Sequence, residues 1–453
     1  MINQIASYWK LHRFPILIVV ASTLFYFVFA HNLERSDFLK LITLYGALFF
    51  FCFKLIQFEK WNLKFLVVAG ILFRLVFLMG LPGLSQDYFR FIWDGEMVLQ
   101  GINPYLFTPD MIMNEAVAVP ENGVLLHEGM GKLSARNYSN YPPLNQLLFT
   151  LAAFLGSHKI LGSVIVIRVI IIIADLGLLY FGRKLLKNLN RSPHLIFWYF
   201  LNPLIIIELT GNLHFEGVML FFFVWSVYLL SKKNWWGAAI FLAVSIQIKL
   251  IPLIFLPLFL FYFKRKKLLL FYGLTLLIAL AFLWPFYIPE FPEHYTKTIG
   301  LWFSNFEFNA GVYNGLKQVA LNFDIKPWHL IKTYGQITPY IVIIATLIYS
   351  MRVKKEKISS LLVAMLWILS IYYFLSTTVH PWYIVSLVVL CLFSEYRFPL
   401  VWSAVIYLSY SAYGKDGFEE QPWLLAFEYI VVFGFMIYEI IKLEGAKLTI
   451  SKN

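Results

Sequence analysis

Four short stretches of this 453-residue chain hold the side chains best able to do chemistry. The first runs Asp87-Tyr88-Phe89-Arg90-Phe91-Ile92-Trp93-Asp94-Gly95. It continues through Gly101-Ile102-Asn103-Pro104-Tyr105 and closes at Tyr141-Pro142-Pro143-Leu144. If residues 86–95 are helical, positions 87, 90 and 94 share one face. The two carboxylates then stand ~10 Å apart along the axis, too far to chelate one ion and with room for Arg90 between them. The stretch reads either as an Asp–Arg–Asp ion-pair ladder or as a carboxylate base with Arg90 orienting it or holding an anion.

The second stretch is Asn202-Pro203-Leu204 followed by Gly211-Asn212-Leu213-His214-Phe215-Glu216-Gly217. Its polar groups are costly to bury without partners. Alternatively, Glu216 simply complements the dipole at the start of the next helix. The third is Lys249, set among apolar residues in Ser245-Ile246-Gln247-Ile248-Lys249-Leu250-Ile251-Pro252. An ionisable side chain there is a functional candidate that could hold a phosphate as a point charge, or it snorkels to the interface. The fourth is Thr377-Thr378-Val379-His380-Pro381-Trp382-Tyr383. An imidazole beside aromatics suits a sugar or phosphate site, and equally an interfacial aromatic belt. Asp175, inside an apolar run, is expected to cap a contact between helices or to pair with Arg168 through a neighbour, with no catalytic role.

The elements that must position these groups are membrane helices. Sixty percent of the residues are hydrophobic, 14% are charged, and the mean hydropathy is +0.72. A soluble domain carries about a quarter charged residues. Apolar runs long enough to approach the ~20 residues that cross a bilayer recur from end to end. They lie near 14–31, 38–55, 62–82, 160–182, 194–210, 215–231, 235–249, 251–263, 268–288, 334–351, 358–376, 382–394, 398–412 and 425–442. The expected fold is all-α: one polytopic membrane domain over 1–453, a bundle of about 12–14 transmembrane helices. Several runs are short and meet at a proline, as at Pro252, which suits backbone lining a cavity.

Charge sets the orientation. The net charge of +12 comes from clusters such as Arg183-Lys184-Lys187-Arg191, Lys264-Arg265-Lys266-Lys267 and Arg352-Lys354-Lys355-Lys357. Spaced between apolar runs, these are topology signals rather than a nucleic-acid surface. They place both termini in the cytoplasm and the long loops 84–158 and 289–333 outside. The apolar stretch 141–156, opened by Pro142-Pro143, is expected to be an interfacial or re-entrant helix of the outer loop. Lys10 and Arg13 ahead of the run 14–30 resemble a signal segment, read here as an uncleaved anchor. Cys52 and Cys391 form no disulfide or metal-ligand spacing. All four polar stretches then fall at the outer interface, a site fit for an anionic amphiphile.

In this order the motifs resemble the GT-C glycosyltransferases, and among them bacterial polyprenol-phosphate-mannose-dependent mannosyltransferases. The likeness covers residues 62–395. It rests on Asp87 to Gly95, Gly101 to Tyr105, Tyr141 to Leu144, Asn202-Pro203-Leu204, Gly211 to Glu216, Lys249 to Pro252 and His380 to Tyr383. The chain departs in carrying Glu216 where the family has aspartate, Phe215 where asparagine is common, and two spans ahead of the one leading to Asp87.

The resemblance implies inverting transfer of a hexose, mannose by the family's habit, from a polyprenyl-phosphate donor to a hydroxyl on a glycan, glycolipid or protein. The compartment implied is the outer side of a bacterial inner membrane. It implies Asp87 and Asp94 as catalytic carboxylates and Lys249, Arg90 and His380 at the donor phosphate. It further implies Tyr105, Tyr141, Asn212, His214, Glu216, Trp382 and Tyr383 around sugar or acceptor. No organic cofactor is called for. A divalent metal stays open, because Glu216 could approach Asp87 in the fold. Two other readings share the many spans: a transporter or flippase, and another lipid-linked-glycan enzyme such as an O-antigen ligase or polymerase. The first predicts symmetry between halves, which the sequence lacks. The second does not predict the Asp87 to Tyr105 pattern.

Overall fold

Apolar runs become helices in a bilayer because the backbone there must satisfy its own polar groups. In the computed structural model, which describes residues 2–115, 119–304, 306–415 and 417–450, each expected apolar segment coincides with a helix or a pair of helices. Seven are long and apolar enough to cross a membrane: Tyr8–His31, Phe38–Phe58, Ile160–Asn188, Arg265–Phe286, Pro327–Arg352, Ile358–Leu375 and Pro422–Leu443. Pro193–Phe200 and Pro203–Gly211, bent by 51° at Asn202, together have the length of an eighth. The remaining apolar helices, such as Trp235–Ile248, Pro381–Leu392 and Phe398–Ala412, fall short of a full crossing. They pack within the protein, as the complete burial of Ile384–Leu392 shows. The protein is an all-α, polytopic membrane protein.

The third apolar run departs from its expected bounds. Expected over 62–82, its helix is Leu63–Leu75, started by the Asn62 side chain accepting from the Phe65 N–H at 3.2 Å. Beyond Leu75 the chain leaves the helix through successive turns, delivering Asp87 to the next one.

The segment that carries Asp87 is itself helical. Asp87–Leu99, Pro109–Glu115, Gly123–Ala135 and Pro143–Leu155 lie between the third and fourth apolar segments. Asp87–Leu99 crosses Pro143–Leu155 at Gly95, where any Cβ would run into the backbone carbonyl of Phe149. Only glycine allows that approach, which is why Gly95 follows Asp94. The thirteen residues of Pro143–Leu155 are too few to span, as expected of an interfacial or re-entrant helix. Asn145 from this helix donates to the Ile248 carbonyl at 2.7 Å, capping the helix that ends just before Lys249.

Buried charge fixes the interior. Arg74 Nε donates to Asp175 Oδ2 at 2.8 Å, Tyr199 Oη donates to Asp175 Oδ1 at 2.5 Å, and Arg74 Nη1 reaches the Phe200 carbonyl at 2.8 Å. Asp175 thus pairs with Arg74 rather than with Arg168 seven residues before it. Arg168 instead donates to the carbonyls of Leu78, Thr210 and Gly211 at 2.9, 2.7 and 3.1 Å. Removing one partner from a buried ion pair costs about 3–5 kcal/mol. These two arginines pin the third, fourth and bent apolar segments where the polar loop 211–217 begins.

Candidate active site

The bent segment positions two groups. Its second half, Ile206–Gly211, is a π-helix, a form concentrated at functional sites because the wider turn re-aims side chains. From it Glu208, completely buried, accepts from Tyr407 Oη and Tyr410 Oη at 2.8 Å each and from Asn212 Nδ2 at 3.1 Å. Leu213 follows with φ of 65°, a left-handed conformation that costs a bulky residue free energy and persists where surroundings enforce it. That twist presents His214, whose Nε2 faces Glu208 Oε2 at 3.7 Å and whose Nδ1 faces Asp87 Oδ2 at 3.9 Å.

His214 also stacks on Trp382 with ring centroids 3.7 Å apart, and Trp382 stacks on His380 at 4.4 Å. The indole is flanked by both imidazoles. The segment carrying them is held by a short parallel bridge: Phe308 N–H to the Thr377 carbonyl at 2.9 Å, and Val379 N–H to the Phe308 carbonyl at 2.8 Å. The segment around Phe308 is thereby joined to the His380 segment.

These elements enclose a cavity of about 530 Å³. Asp87, Arg90, Tyr141, His214, Lys249, His380, Trp382 and Tyr383 line it, as does Arg35 from the loop between the first two helices. The first eight are among the residues that the resemblance implied for the site. A second cavity of about 350 Å³, lined by Ile254, Pro339, Val342, Ile343, Leu375 and mostly apolar neighbours, shares Thr378 and Tyr383 with the first.

Asp87 begins its helix and keeps 39% of its side chain exposed in the cavity. Burial raises its carboxyl above the ordinary range, opposed by the cations of Lys249 and Arg35. A carboxylate raised in this way is a stronger base than a solvated aspartate. Burial likewise lowers both imidazoles, His380 to about 3, with nearby Lys249 and Arg35 adding to the effect. Both histidines stand neutral and act as hydrogen-bonding, stacking groups.

Four expected site residues lie behind the cavity wall. Asp94 is fully buried: Oδ1 accepts from Arg90 Nε at 2.6 Å, and Oδ2 accepts from Ser139 Oγ at 2.6 Å and Gln146 Nε2 at 3.1 Å. Arg90 also donates to the Ser134 and Asn137 carbonyls at 2.6 and 2.9 Å. The ladder is thus Arg90–Asp94 alone. It ties the Asp87 helix to the loop 134–146 and leaves Asp87 free. Tyr105 is fully buried, its hydroxyl donating to the Tyr141 carbonyl at 2.5 Å. Asn212 holds the Leu84 N–H at 3.2 Å. Glu216 forms an ion pair with Lys249, and its charge adds to the rise of the Asp87 carboxyl. Among the described residues no group of three or more His, Cys, Asp or Glu is arranged to hold a metal ion.

Sequence reasoning missed Arg35 and Glu208. Arg35 packs over the Tyr413 ring at 3.3 Å, and its Nε is buried without a hydrogen-bond partner among the described residues. The alpha-(1->6)-mannopyranosyltransferase N-terminal domain model of the MptA_B family matches residues 28–265, from Arg35 through the Asp87 helix, Glu208 and His214 to Lys249. The chain belongs to this family. It is a mannosyl-transferring glycosyltransferase, using a sugar donor and a glycan acceptor. The Trp382 and His380 stack lies beyond the matched residues. No curated protein and no solved structure matches the chain. MptA_B membership agrees with the GT-C resemblance and sets aside the transporter, ligase and polymerase readings.

Proposed function

We propose that the protein transfers mannose from a polyprenyl-phosphate donor to a glycan hydroxyl, with inversion, at the outer face of a bacterial inner membrane. The observation that carries this reading is the junction of two cavities at Thr378 and Tyr383. One is polar and basic; the other is apolar and set between helices long enough to span. A donor whose charged sugar phosphate continues into a hydrocarbon chain needs that pairing. The positive clusters at the other helix ends support cytoplasmic termini and an outward-facing site.

Asp87 takes the proton of the acceptor hydroxyl. The acceptor oxygen bonds to the anomeric carbon as the bond from that carbon to the phosphate oxygen breaks. The electron pair leaves with polyprenyl phosphate. Arg35 and Lys249 stabilise that departing charge in a site of low dielectric. Tyr141, His214, Trp382 and Tyr383 shape the sugar subsite, with neutral His380 as a hydrogen-bonding group. Asp94, Arg90, Tyr105, Asn212 and Glu216 hold these groups in place. The other cavity-lining carboxylate among the described residues, Glu307, is paired with Lys317 at 2.7 Å. With Asp87 acting as base, no second carboxylate is placed as a nucleophile for a double displacement. A single displacement gives inversion, so the family's alpha product comes from a beta-linked donor.

The test is turnover of synthetic polyprenyl-phosphate mannose against water-soluble GDP-mannose. Transfer from the lipid donor alone supports the reading, and transfer from GDP-mannose alone overturns it.

A further inference from the structure

A third cavity, of about 620 Å³, lies at the other end of the bundle. The helix Ile358–Leu375 places it: Ser359, Ser360, Val363 and Trp367 near its start line this cavity, while Leu375 at its end lines the apolar cavity beside the active site. Eighteen helical residues rise ~27 Å, about the thickness of the hydrocarbon layer. Pro327–Arg352 runs the same course in reverse, from Tyr334 at the active-site end to Tyr349 and Arg352 here. The third cavity therefore opens at the opposite membrane interface.

Its lining is strongly basic. Arg191, Arg352, Lys354 and Lys357 contribute, against one lining carboxylate among the described residues, Glu395, whose Oε1 lies 3.8 Å from Arg191 Nη2. Arg352, Lys354 and Lys357 form no ion pair among the described residues. The Arg352 guanidinium lies 5.5 Å above the Tyr349 ring. Ser359, Ser360 and Ser394 add hydroxyls beside the cations, and Val363, Trp367, Ile440 and Leu443 from two spanning helices give the wall an apolar side. A soluble anion needs only the cations and hydroxyls; a wall that passes from them to hydrocarbon-level side chains matches a phosphate carrying acyl chains.

We propose that this cavity binds the phosphate headgroup of an anionic membrane lipid. The ligand bridges Arg352, Lys354 and Lys357, and its chains lie against Val363, Trp367 and Leu443. The site is independent of the active site and of the donor assigned to it.

The test is native mass spectrometry of the detergent-purified full chain titrated with dioleoyl phosphatidylglycerol, with dioleoyl phosphatidylcholine and inorganic phosphate as the other arms. Each basic side chain near an anionic headgroup is worth about fivefold in binding. The triple variant Arg352→Gln/Lys354→Gln/Lys357→Gln should weaken phosphatidylglycerol retention on the order of a hundredfold. Lys357→Gln alone, the variant to use if the triple does not fold, should weaken it about fivefold. The triple Lys264→Gln/Arg265→Gln/Lys266→Gln, at the same interface but outside the cavity, should leave retention unchanged, as should Arg352→Lys/Lys354→Arg/Lys357→Arg. Equal losses from both neutral triples, equal retention of phosphatidylcholine, or phosphate binding that competes the lipid away at equal concentration would overturn the proposal.

Discussion

Trp382 and His214 stack with centroids 3.7 Å apart and planes inclined by 18°. They come from segments 168 positions apart in sequence (382 − 214). The contact joins the family-matched half of the chain to the C-terminal half, and it sets the imidazole that faces Asp87. Trp382→Ala removes a large, nearly buried ring, which costs about 3–5 kcal/mol in a core, and frees both imidazoles. We expect mannosyl transfer to fall at least ~30-fold, with Trp382→Phe retaining most of it. The two variants, compared by kcat/KM at matched folded fraction, check this. Equal loss in both would point to the indole N–H rather than to stacking.

Arg35 and Lys249 face the same cavity but differ in what they leave behind. Arg35 has no ion pair among the described residues, so Arg35→Gln should lower kcat/KM for the lipid donor about 100-fold while thermal stability stays within ~1 kcal/mol. Lys249→Gln strands Glu216, which is only 4% exposed. It should lose both activity and stability, the latter by about 3 kcal/mol, with Glu216→Gln in the same chain restoring stability but not activity. Initial rates and melting curves on the three variants separate these outcomes.

The pH profile follows from Asp87 and the two histidines. A base works when deprotonated, so transfer should fall as pH drops through the Asp87 pKa. Burial puts that limb above the ordinary carboxylate value of about 3.9. His380, held near 3, stays neutral throughout. The profile should therefore show no limb that disappears in His380→Gln. A limb near 6.5 abolished by that substitution would mean a charged imidazole takes part.

Asp94→Asn should behave as a structural change. It weakens the Arg90 contact inside a dry network, at a cost of about 3 kcal/mol. Activity should follow the folded fraction, with the pH limb unmoved. A shifted limb at full folding would make Asp94 part of the proton chemistry.

Much of this was legible from residue types alone. The apolar runs located each of the seven long apolar helices among the described residues, because in hydrocarbon the backbone has few alternatives. Polar groups forced into such runs had to find one another, so Asp87, His214, Lys249 and His380 converge as expected. The misses share a cause: pairing depends on distant segments. Asp94 and Asp87 sit on one helix face, and only the Ser139 and Gln146 contacts show that Asp94 points into protein. Asp175 finds Arg74, 101 positions away, ahead of its own helix neighbour. Arg35 looked like any loop cation. Glu208 was the recoverable miss: a carboxylate inside the apolar run 204–209 is itself a signal of function.

The most direct test of the account is mannosyl transfer from synthetic polyprenyl-phosphate mannose by the purified protein and its Asp87→Asn variant, with polyprenyl phosphate release followed in both. The account predicts turnover by the native chain and a loss on the order of a thousandfold in the variant, at unchanged melting temperature. A folded Asp87→Asn protein with undiminished transfer would contradict it.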